Sequence, residues 1–470
     1  MTYRPQNVSV EVLGNPNIIN ALQGRKVPAV IGYGPSTITV VDEAVVRGSG
    51  TTDDLDTTAV VSSITSIANN TGVVDGGLDY QLISANGALY DKTAAAVAGH
   101  TITWTPGDDV PAEGDTYYVT YVRATEDSQF VPTLVSGTSY MGTKYGEENV
   151  SEGILAMAGN LVLENGSPAA YVVQIDADVA AYDASAYKTA IDLLQKKSDI
   201  SYVIATFPSG SVSKTQQEEI QSYLYTHTQL MNNNGRERGM VLGNPSEDFA
   251  VGGYDAIADY NTRAAVLKNE NVTFVVPSVV YRGDLLVDSN LAAAAVAGVK
   301  SAQLKDATPI HGFSVTGITV EEEKWTPFEM DQLGAGSCLV LQQVSGIVTI
   351  RDAITTDPTS ADTQEMSVVD TKRLVKKVIR EGLANKYNGK GTVITDETPG
   401  AVAATTNSIL TLMVNNKDIA AKGITDNPLT GELETVAVQD TNEPRLIRVT
   451  CSYKPLYPLK WIDVTANVYV

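Results

Sequence analysis

The sequence is poor in cysteine and histidine. Its 470 residues include two cysteines, Cys338 and Cys451, and three histidines, His100, His227 and His311. Two cysteines in a chain of this length do not make a disulfide framework, so we expect folding in a reducing cytoplasm. The histidines are far apart and lack the spacing of metal ligands, so we expect each to be structural.

Long apolar runs and an excess of basic residues are also missing. No apolar run approaches the ~20 residues of a membrane span, and the first ten residues lack the regions of a signal peptide. The net charge of −22 and the sequence pI of about 4.5 disfavour nucleic acid as a partner. We therefore expect neither membrane insertion nor nucleic-acid binding. The hydrophobic content of 43% is typical of globular protein, and the length predicts roughly two to four domains.

Motifs for catalysis and cofactor binding are absent as well. The stretch "NGKGT" at 388–392 lacks the frame of a P-loop, and "GYGPST" at 32–37 has Thr where a dinucleotide loop needs its third glycine. No GxSxG elbow is present. Asp176 and Asp178 follow a predicted strand and could hold a cation, although a solvated strand end is the favoured interpretation. We predict no catalytic residue, metal or cofactor, and no enzyme activity.

The sequence does contain a regular alternation of predicted strands and helices. Strands such as "AAYVVQIDA", "ISYVIATFP" and "ERGMVLGNP" alternate with helical stretches from about residue 150 onward. This rhythm predicts a mostly parallel sheet with helices on both faces. We assign residues 23–39 and 131–344 to this central α/β domain, and read 16–35 as loop-rich apart from a short apolar stretch at 27–31. Residues 40–130, with short strands and turns, predict an inserted β-sandwich or barrel.

The C-terminal part, residues 345–455, is predicted to be α+β. It begins with the strand "GIVTIRDAITT" and continues with a helix at 367–387, where Ser367 and Asp370 have capping-box-like spacing. A second helix follows, with Thr398 as its predicted cap, and then the strands "ETVAVQD" and "RLIRVTCSYKP".

Both terminal segments predict isolated strands with one apolar face. Alternation places on that face the residues Val8, Val10 and Val12 in the N-terminal arm, 1–22, and Ile462, Val464, Ala466, Val468 and Val470 in the C-terminal arm strand, 456–470. The unpaired backbone groups of such a strand promote aggregation unless another chain covers them. We therefore expect these residues to form inter-subunit strands.

The helix at 367–387 has a strongly basic face. Its members are Lys372, Arg373, Lys376, Lys377 and Arg380. Residues 366–470 carry a net charge of +2, whereas the rest of the chain carries −24. Glu381 alone lies near this face, so i,i+4 pairing does not relieve the repulsion. A solvated helix face remains open, but we expect a docking surface for an acidic partner.

The order of these segments resembles that of contractile tail sheath proteins of bacteriophages and related injection machines. The resemblance is carried by "ILAMAGNLVLENGSPAAYVVQI", by "AAAAVAGVKSAQLKDATPIHGFSVTGI", and by "GIVTIRDAITT" followed by a basic helix and a terminal strand. It runs over roughly 150–470 plus the N-terminal arm. Residues 40–130 correspond in this family to a variable outward insertion.

The resemblance implies a structural subunit of the virion tail, assembled in the host cytoplasm. Subunits would exchange terminal strands and polymerise as a helical homo-oligomer of stacked hexameric rings around a tail tube, with baseplate and tail terminator proteins as further partners. Contraction would drive the tube through the host envelope without nucleotide hydrolysis. The C-terminal domain of the family lies innermost, which would turn the face from Lys372 to Arg380 toward the tube.

Three alternatives stay open. The chain could be the sheath of a bacterial secretion system or bacteriocin, another structural phage protein such as a tube or capsid subunit, or, less in keeping with the motifs, an α/β hydrolase or dehydrogenase. A tube subunit would be shorter and mostly β.

Overall fold

The computed structural model describes residues 26–35, 37–56, 61–68, 95–98, 100–105, 110–124, 129–146, 148, 153–175, 182–208, 212–244, 257–277, 279–282, 285–287, 289–320, 325–387, 393–420 and 435–458, and the statements below concern these residues. The strands are β1 (Val27–Tyr33), β2 (Thr37–Val46), β3 (Thr52–Asp54), β4 (Val61–Ala68), β5 (Ala95–Ala98), β6 (Thr101–Trp104), β7 (Thr116–Ala124), β8 (Thr133–Val135), β9 (Ala170–Ile175), β10 (Ile200–Ala205), β11 (Gly239–Gly243), β12 (Val272–Val276), β13 (Val279–Tyr281), β14 (Leu285–Val287), β15 (Ser314–Val315), β16 (Ile318–Thr319), β17 (Leu339–Val344), β18 (Ile347–Ile350), β19 (Val436–Gln439) and β20 (Ile447–Thr450). The helices are α1 (Thr138–Tyr145), α2 (Ile154–Glu164), α3 (Ala184–Leu193), α4 (Lys214–Asn233), α5 (Ile257–Val266), α6 (Ser289–Ser301), α7 (Pro327–Ala335), α8 (Ala361–Gln364), α9 (Met366–Tyr387) and α10 (Thr398–Asn415).

The largest sheet has nine strands in the order β15-β18-β17-β12-β11-β10-β1-β9-β8. The six strands from β17 to β9 run parallel to one another. Antiparallel strands complete both edges, with β8 beside β9 at one edge and β18 and β15 at the other. The predicted mostly parallel sheet is therefore confirmed.

Strand β1 corrects the interpretation of residues 16–35 as loop-rich. All seven residues of Val27–Tyr33 are buried, and the strand lies in the middle of the sheet between β9 and β10. Pro28 has no N–H to donate, and the register with β10 shifts between Val27 and Ala29. The nearby prolines and glycines had indicated a loop where the chain forms a core strand.

Helices cover both faces of the sheet, as predicted. Val30 of β1 belongs to an apolar cluster with α2 and α6, whereas its neighbours Ala29 and Ile31 belong to a second cluster with α3, α4 and α5. Helix α6 is buried along its whole length. Its small residues allow this, because a Cβ at Gly298 would lie 2.5 Å from the carbonyl oxygen of Val162 in α2.

Residues 37–124 are all β in the part that the structure describes. Two three-stranded sheets, β2-β7-β4 and β3-β6-β5, share one apolar cluster. In β7 the side chains of Tyr117, Val119 and Tyr121 are buried. The residues between them are half-buried, so the core face of β7 is the one that carries these three side chains.

The C-terminal part contains α9, α10 and the hairpin β19–β20, which confirms two predicted helices and two predicted strands. Strand β18, which the sequence analysis assigned to this part, pairs with β17 in the nine-stranded sheet. The tight turn at Ser345 and Gly346, both at positive φ, keeps β18 beside its neighbour. Thr398 is the first residue of α10, and Glu397 occupies the cap position.

Candidate interface on the C-terminal helices and hairpin

The apolar side of α9 packs against α10, as its pattern predicts. Leu374, Val375 and Val378 of α9 form a buried cluster with Ile409 and Leu410 of α10. This contact leaves the cationic side of α9 facing away from α10. The two helices therefore form one unit whose charged side meets the rest of the molecule.

The cationic side of α9 lies along the edge of the sheet where the parallel strands begin. Glu237 precedes β11 and forms a two-pronged ion pair with Arg380. Glu270 precedes β12, and its carboxylate is 3.0 Å from Nζ of Lys372. Hydrogen bonding to Glu237 raises the pKa of Arg380. Two cations of the basic face thus bind acids from the entrances of two neighbouring strands.

Close approach of the guanidinium groups depends on two glycines. A Cβ at Gly235 would lie 2.8 Å from Cζ of Arg380, and a Cβ at Gly239 would lie 2.2 Å from an Nη atom of Arg373. Any side chain at these positions would displace the arginines. The docking of α9 is thus built into the loop and strand beneath it as well as into α9 itself.

Asp370 is the centre of a buried polar network between α9 and the sheet. Its carboxylate accepts a 2.6 Å hydrogen bond from the Tyr202 hydroxyl, lies 3.1 Å from Nζ of Lys300, and pairs with Arg373. The Arg373 guanidinium also lies over the Tyr202 ring, 5.1 Å from its centroid. Burial opposes ionisation of Asp370, but the charges of Arg373 and Lys300 outweigh it and hold the pKa of the carboxyl below its usual range.

Lys300, at the end of α6, is equally well satisfied. Its ammonium group donates 2.8 Å hydrogen bonds to the carbonyl oxygens of Asp306 and Thr308. The predicted helix-capping role of Asp370 is therefore wrong, because its carboxylate joins α9 to α6 and β10. A cavity of about 60 Å³ beside this network has room for water but not for a substrate of ordinary size.

These contacts correct one premise about the basic face. The sequence suggested that its charges lacked partners, but Lys372, Arg373 and Arg380 have partners in this chain. Lys377 is half-buried beside the small cavity. Lys376 is the member of the face whose side chain is exposed. Lys372 and Arg380 thus bind acids of the chain's own loops, and Arg373 binds Asp370 of α9 itself.

The hairpin β19–β20 covers a groove of about 820 Å³ over α9 and α10. The groove is lined by Leu383 and Ala384 of α9, Val402 of α10, and Ile447 and Val449 of the hairpin. The inner face of the hairpin, from register, carries Ala437 opposite Val449 and Gln439 opposite Ile447. Within the described residues, no third strand pairs with either edge of the hairpin. Among the described residues, both edges of this small sheet thus lack a partner strand, and the groove below combines these apolar side chains with Arg380, Thr398 and Arg445.

The other predicted residues are placed as follows. The inter-subunit strand residues lie outside the described ranges, as do Asp176 and Asp178. His311 accepts a hydrogen bond from the backbone of Ala353 and contacts Glu365. His227 is buried beside Arg238, and burial lowers its pKa to about 4. Among the described side chains, no group of three or more potential ligands is arranged to hold a metal ion.

The acidic partners of α9 were not among the residues predicted from the sequence. Glu237 and Glu270 lie 143 and 102 residues before the cations that they bind. Each follows a helix and precedes a strand, so each reads as an ordinary loop residue. Their shared position at the entrances of adjacent parallel strands was the signal that could have grouped them.

Comparison with known proteins agrees with this architecture, although no protein-family model matches the chain. A tail sheath protein of Mycobacterium phage Bxz1 is 24% identical over 336 residues, which cover 70% of this chain and 54% of that protein. The chain thus spans about half the length of the curated relative that it matches. The sheath of the anti-feeding prophage in its contracted state has a TM-score of 0.54 and 13% identity, over 73% of this chain and 89% of that one.

The chain has the fold of the contractile tail sheath proteins. A further solved structure, the contracted sheath complex of the extracellular contractile injection system PVC, has a TM-score of 0.53 and 11% identity, over 72% of this chain and 87% of that one. The resemblance predicted from the order of segments is confirmed by the phage relative. No helix in the ranges that the structure describes is both long and apolar enough to cross a membrane.

Proposed function

We propose that this protein is a structural, non-enzymatic subunit of a contractile phage tail sheath. The observation that carries the proposal is the agreement between a phage tail sheath relative in sequence and contracted sheaths in fold. The subunits would form stacked hexameric rings around a tail tube, with the baseplate and the tail terminator at the ends. Contraction would push the tube through the host envelope. The protein would assemble in the host cytoplasm and reside in the virion.

This role implies a position in the sheath for each part of the chain. The central α/β domain would span 23–39 and 131–344, and 40–130 would be an inserted sandwich or barrel on the outside. The C-terminal domain, 345–455, would lie innermost, with its first strand, β18, belonging to the central sheet. The arms at 1–22 and 456–470 would link subunits through Val8, Val10, Val12 and the apolar row from Ile462 to Val470.

The hairpin β19–β20 is the proposed acceptor of these arms. In the part of the chain that the structure describes, neither of its edges has a partner strand, and its groove contains apolar side chains such as Leu383, Val402 and Ile447. An added strand would receive main-chain hydrogen bonds from an edge and bury its apolar row in the groove. By contrast, the edges of the nine-stranded sheet are strands of three and two residues, a length that discourages further pairing.

Geometry favours pairing between subunits over pairing within one. The Tyr457 hydroxyl bonds to Asp362 of α8, just before α9 begins. The groove lies at the opposite end of α9, whose 22 residues make it about 33 Å long. A ten-residue strand at 461–470 is also about 33 Å long. The near end of the groove, at Arg380, is about 21 Å along α9 from Met366, so such a strand would spend much of its length reaching its own groove and could place only its last residues there.

The test compares assembly of the full chain with that of a form ending at Lys460, by negative-stain microscopy at several concentrations. Two double variants of full length test whether the apolar row itself is needed. Val464→Asp with Val468→Asp places charges on the apolar row, whereas Thr465→Asp with Asn467→Asp places the same charges on the opposite row. We expect hollow tubes from the full chain and the second variant, and none from the truncation and the first variant.

Equal assembly by all four proteins would refute the claim that the C-terminal strand joins subunits. Discrete closed particles from the full chain, whatever the concentration, would count against a helical sheath. The related proposal of a bacterial contractile injection system is supported by the nature of the structural neighbours, which include PVC. Electron microscopy of virions from the producing phage, with antibody labelling along the tail, separates the two.

We also propose that, of the basic face of Lys372, Arg373, Lys376, Lys377 and Arg380, the exposed Lys376 contacts the tail tube. Arg373 and Arg380 hold α9 against the sheet, and the exposed Lys376 would reach the tube. An exposed ion pair of this kind contributes about 0–1 kcal/mol. Such contacts are weak enough to break one ring at a time during contraction.

A further inference from the structure

Exposed apolar side chains lie at the turn between β17 and β18, at the carboxyl end of β17. Val344 and Ile347 are directly opposite each other in register and are 53% and 56% exposed. They share a face of the sheet with Gln342, two residues before Val344. The Arg351 guanidinium donates hydrogen bonds to Gln342 and to Asp331 of α7. The exposed turn therefore lies on the side of the sheet that α7 covers.

Helix α7 extends this surface with one aromatic ring and two carboxylates. Residues 336–338 alone connect α7 to β17, so the helix runs back along the strand and its N-terminal end points toward the turn. Phe328 precedes Asp331 by about one helical turn and is 69% exposed. Asp331 is 67% exposed. We call this surface the acidic end of the sheet, and its members are Phe328, Glu329, Asp331, Val344 and Ile347.

The opposite end of the same sheet carries exposed cations. Lys196 precedes β10, Arg236 precedes β11, and both side chains are exposed. The Arg236 guanidinium donates a hydrogen bond to the carbonyl oxygen of Gln195, which holds the two loops together. Leu230, near the end of α4, is 45% exposed, and it lies beside Arg236 because the Arg236 N–H bonds to the Met231 carbonyl oxygen. We call Leu230, Lys196 and Arg236 the basic end of the sheet.

The two ends lie on one face of the sheet and point in opposite directions along its strands. Leu333 of α7 and Leu224 of α4 belong to the same apolar cluster, which places both helices on that face. Strands β17 and β11 are parallel, with β12 between them, so the two ends are offset by about 10 Å across the sheet. A second copy displaced along the strands, and slightly across them, would bring its acidic end onto the basic end of the first.

We propose that the acidic end of one copy binds the basic end of the next. This contact rests on the proposed helical self-assembly and adds a junction between central α/β domains that does not use the terminal arms. Because the two surfaces differ, the contact is heterologous and repeats from copy to copy. Phe328 and Leu230 would form its apolar centre, and Asp331 would face Arg236 at its rim. Pairing of two acidic ends is disfavoured by the repulsion of like charges.

The contact is expected to be weak between two isolated copies. Four exposed apolar side chains make a small patch, and small patches are common on monomeric proteins. In an assembly the same contact recurs at every copy, so its effect multiplies. Its loss should therefore raise the protein concentration at which assembly begins, and it should leave the folded monomer unchanged.

The test is reversal of charge at each end in the full chain. Asp331→Lys makes the acidic end basic, and Arg236→Glu makes the basic end acidic. Either variant alone would place like charges at every contact, whereas an equimolar mixture of the two offers opposite charges at every contact. We expect the critical concentration for tubes to rise by about tenfold or more for each variant alone. In the mixture it should return to that of the unmodified chain. Sedimentation and negative-stain microscopy measure it.

A second pair of variants tests the apolar centre. Phe328→Ser should also raise the critical concentration. Leu304→Ser is the matched control, because Leu304 is 93% exposed and follows α6, which packs on the other face of the sheet. Thermal midpoints close to that of the unmodified chain would show that all four variants fold.

The outcomes separate this contact from self-assembly as such. Absence of tubes from the unmodified chain would overturn both. Tubes from the unmodified chain, with unchanged critical concentrations for Asp331→Lys and Arg236→Glu, would overturn the contact alone. Impaired assembly of both variants without recovery in their mixture would also overturn it, because the charges would then act within the chain or on another protein.

Discussion

Asp418 lies just beyond the C-terminal end of α10 and is 1% exposed. Burial raises the pKa of its carboxyl to about 6, and Asp306 adds to the rise, whereas Lys305 and Lys26 oppose it. Because the folded-state pKa exceeds the unfolded value, protonation favours the folded state. The stability from this group is present at low pH and is lost as pH rises through about 6.

The change Asp418→Asn should therefore stabilise the protein at neutral pH. The shift corresponds to at most about 3 kcal/mol, at 1.36 kcal/mol per pKa unit. We expect a higher thermal midpoint for the variant at pH 7.5, and a difference that shrinks toward zero near pH 4. Scanning calorimetry at both pH values measures this, and an equal shift at both would contradict the titration.

Removing Asp370 should have a large effect of the opposite sign. Asp370→Ala leaves Lys300 and Arg373 without their carboxylate in a buried site, a change that typically costs about 3–5 kcal/mol. The double variant Asp370→Leu with Lys300→Met should recover part of that loss, because it removes two of the buried charges. Chemical denaturation followed by near-ultraviolet circular dichroism is the measurement.

An exposed ion pair in the same chain provides the control. Lys188 and Glu219 lie 2.6 Å apart with side chains 36% and 48% exposed, and such pairs contribute about 0–1 kcal/mol. Lys188→Ala should therefore shift the unfolding midpoint far less than Asp370→Ala. Similar shifts for the two would mean that the Asp370 network does not anchor α9.

At the scale of whole elements, packing between α2 and α6 depends on the absence of a side chain at Gly298. A Cβ there would meet the Val162 carbonyl oxygen at 2.5 Å and Asn165 Cβ at 2.9 Å. We expect Gly298→Ala to destabilise by about 1–3 kcal/mol through overpacking. The matched change Gly400→Ala in α10, where nothing lies within 4 Å, should stabilise by about 0.4–1 kcal/mol. An increase in the free energy of unfolding for both variants would contradict the close packing of α2 against α6 at Gly298.

The elements that could be predicted from sequence are those with local periodicity. Strands β10 and β11 and helix α4 have clear patterns and short connections, so their order alone predicts a parallel sheet. Strand β1 was hidden because Pro28 and its neighbours carry loop-forming signals, although burial on both faces overrides them. Local pattern also separated the apolar and cationic sides of α9.

The partners of α9 could not be predicted in the same way. The ion pairs of Arg380 and Lys372 join residues more than a hundred positions apart. Local sequence patterns do not predict which loop contacts which helix over such a separation. Asp370 illustrates the difficulty, since its spacing from Ser367 suits a cap and its real contacts are with Tyr202 and Lys300. Long-range charge pairing was visible only as an unexplained excess of cations.

At the scale of the whole molecule, the internal pairing of α9 narrows the proposed contact with a tail tube to Lys376. Lys376→Glu should weaken co-assembly with the tube without changing the unfolding midpoint, because this side chain is exposed. Lys268→Glu, another exposed lysine at the end of α5, is the charge-matched control. Arg380→Glu should instead lower the midpoint, since it opposes Glu237.

The salt dependence of binding to the tube tests whether Lys376 acts through its charge. One exposed ion pair contributes at most about 1 kcal/mol, or roughly fivefold in affinity per site, and the effect multiplies when many subunits contact one tube. The difference between Lys376→Glu and the unmodified chain, measured by sedimentation of tube-bound subunits, should shrink as salt is raised from about 0.05 M to 0.5 M, because the Debye length falls. A difference that persisted at high salt would point to a lost packing contact. No difference at low salt would place the tube against another face of the C-terminal helices.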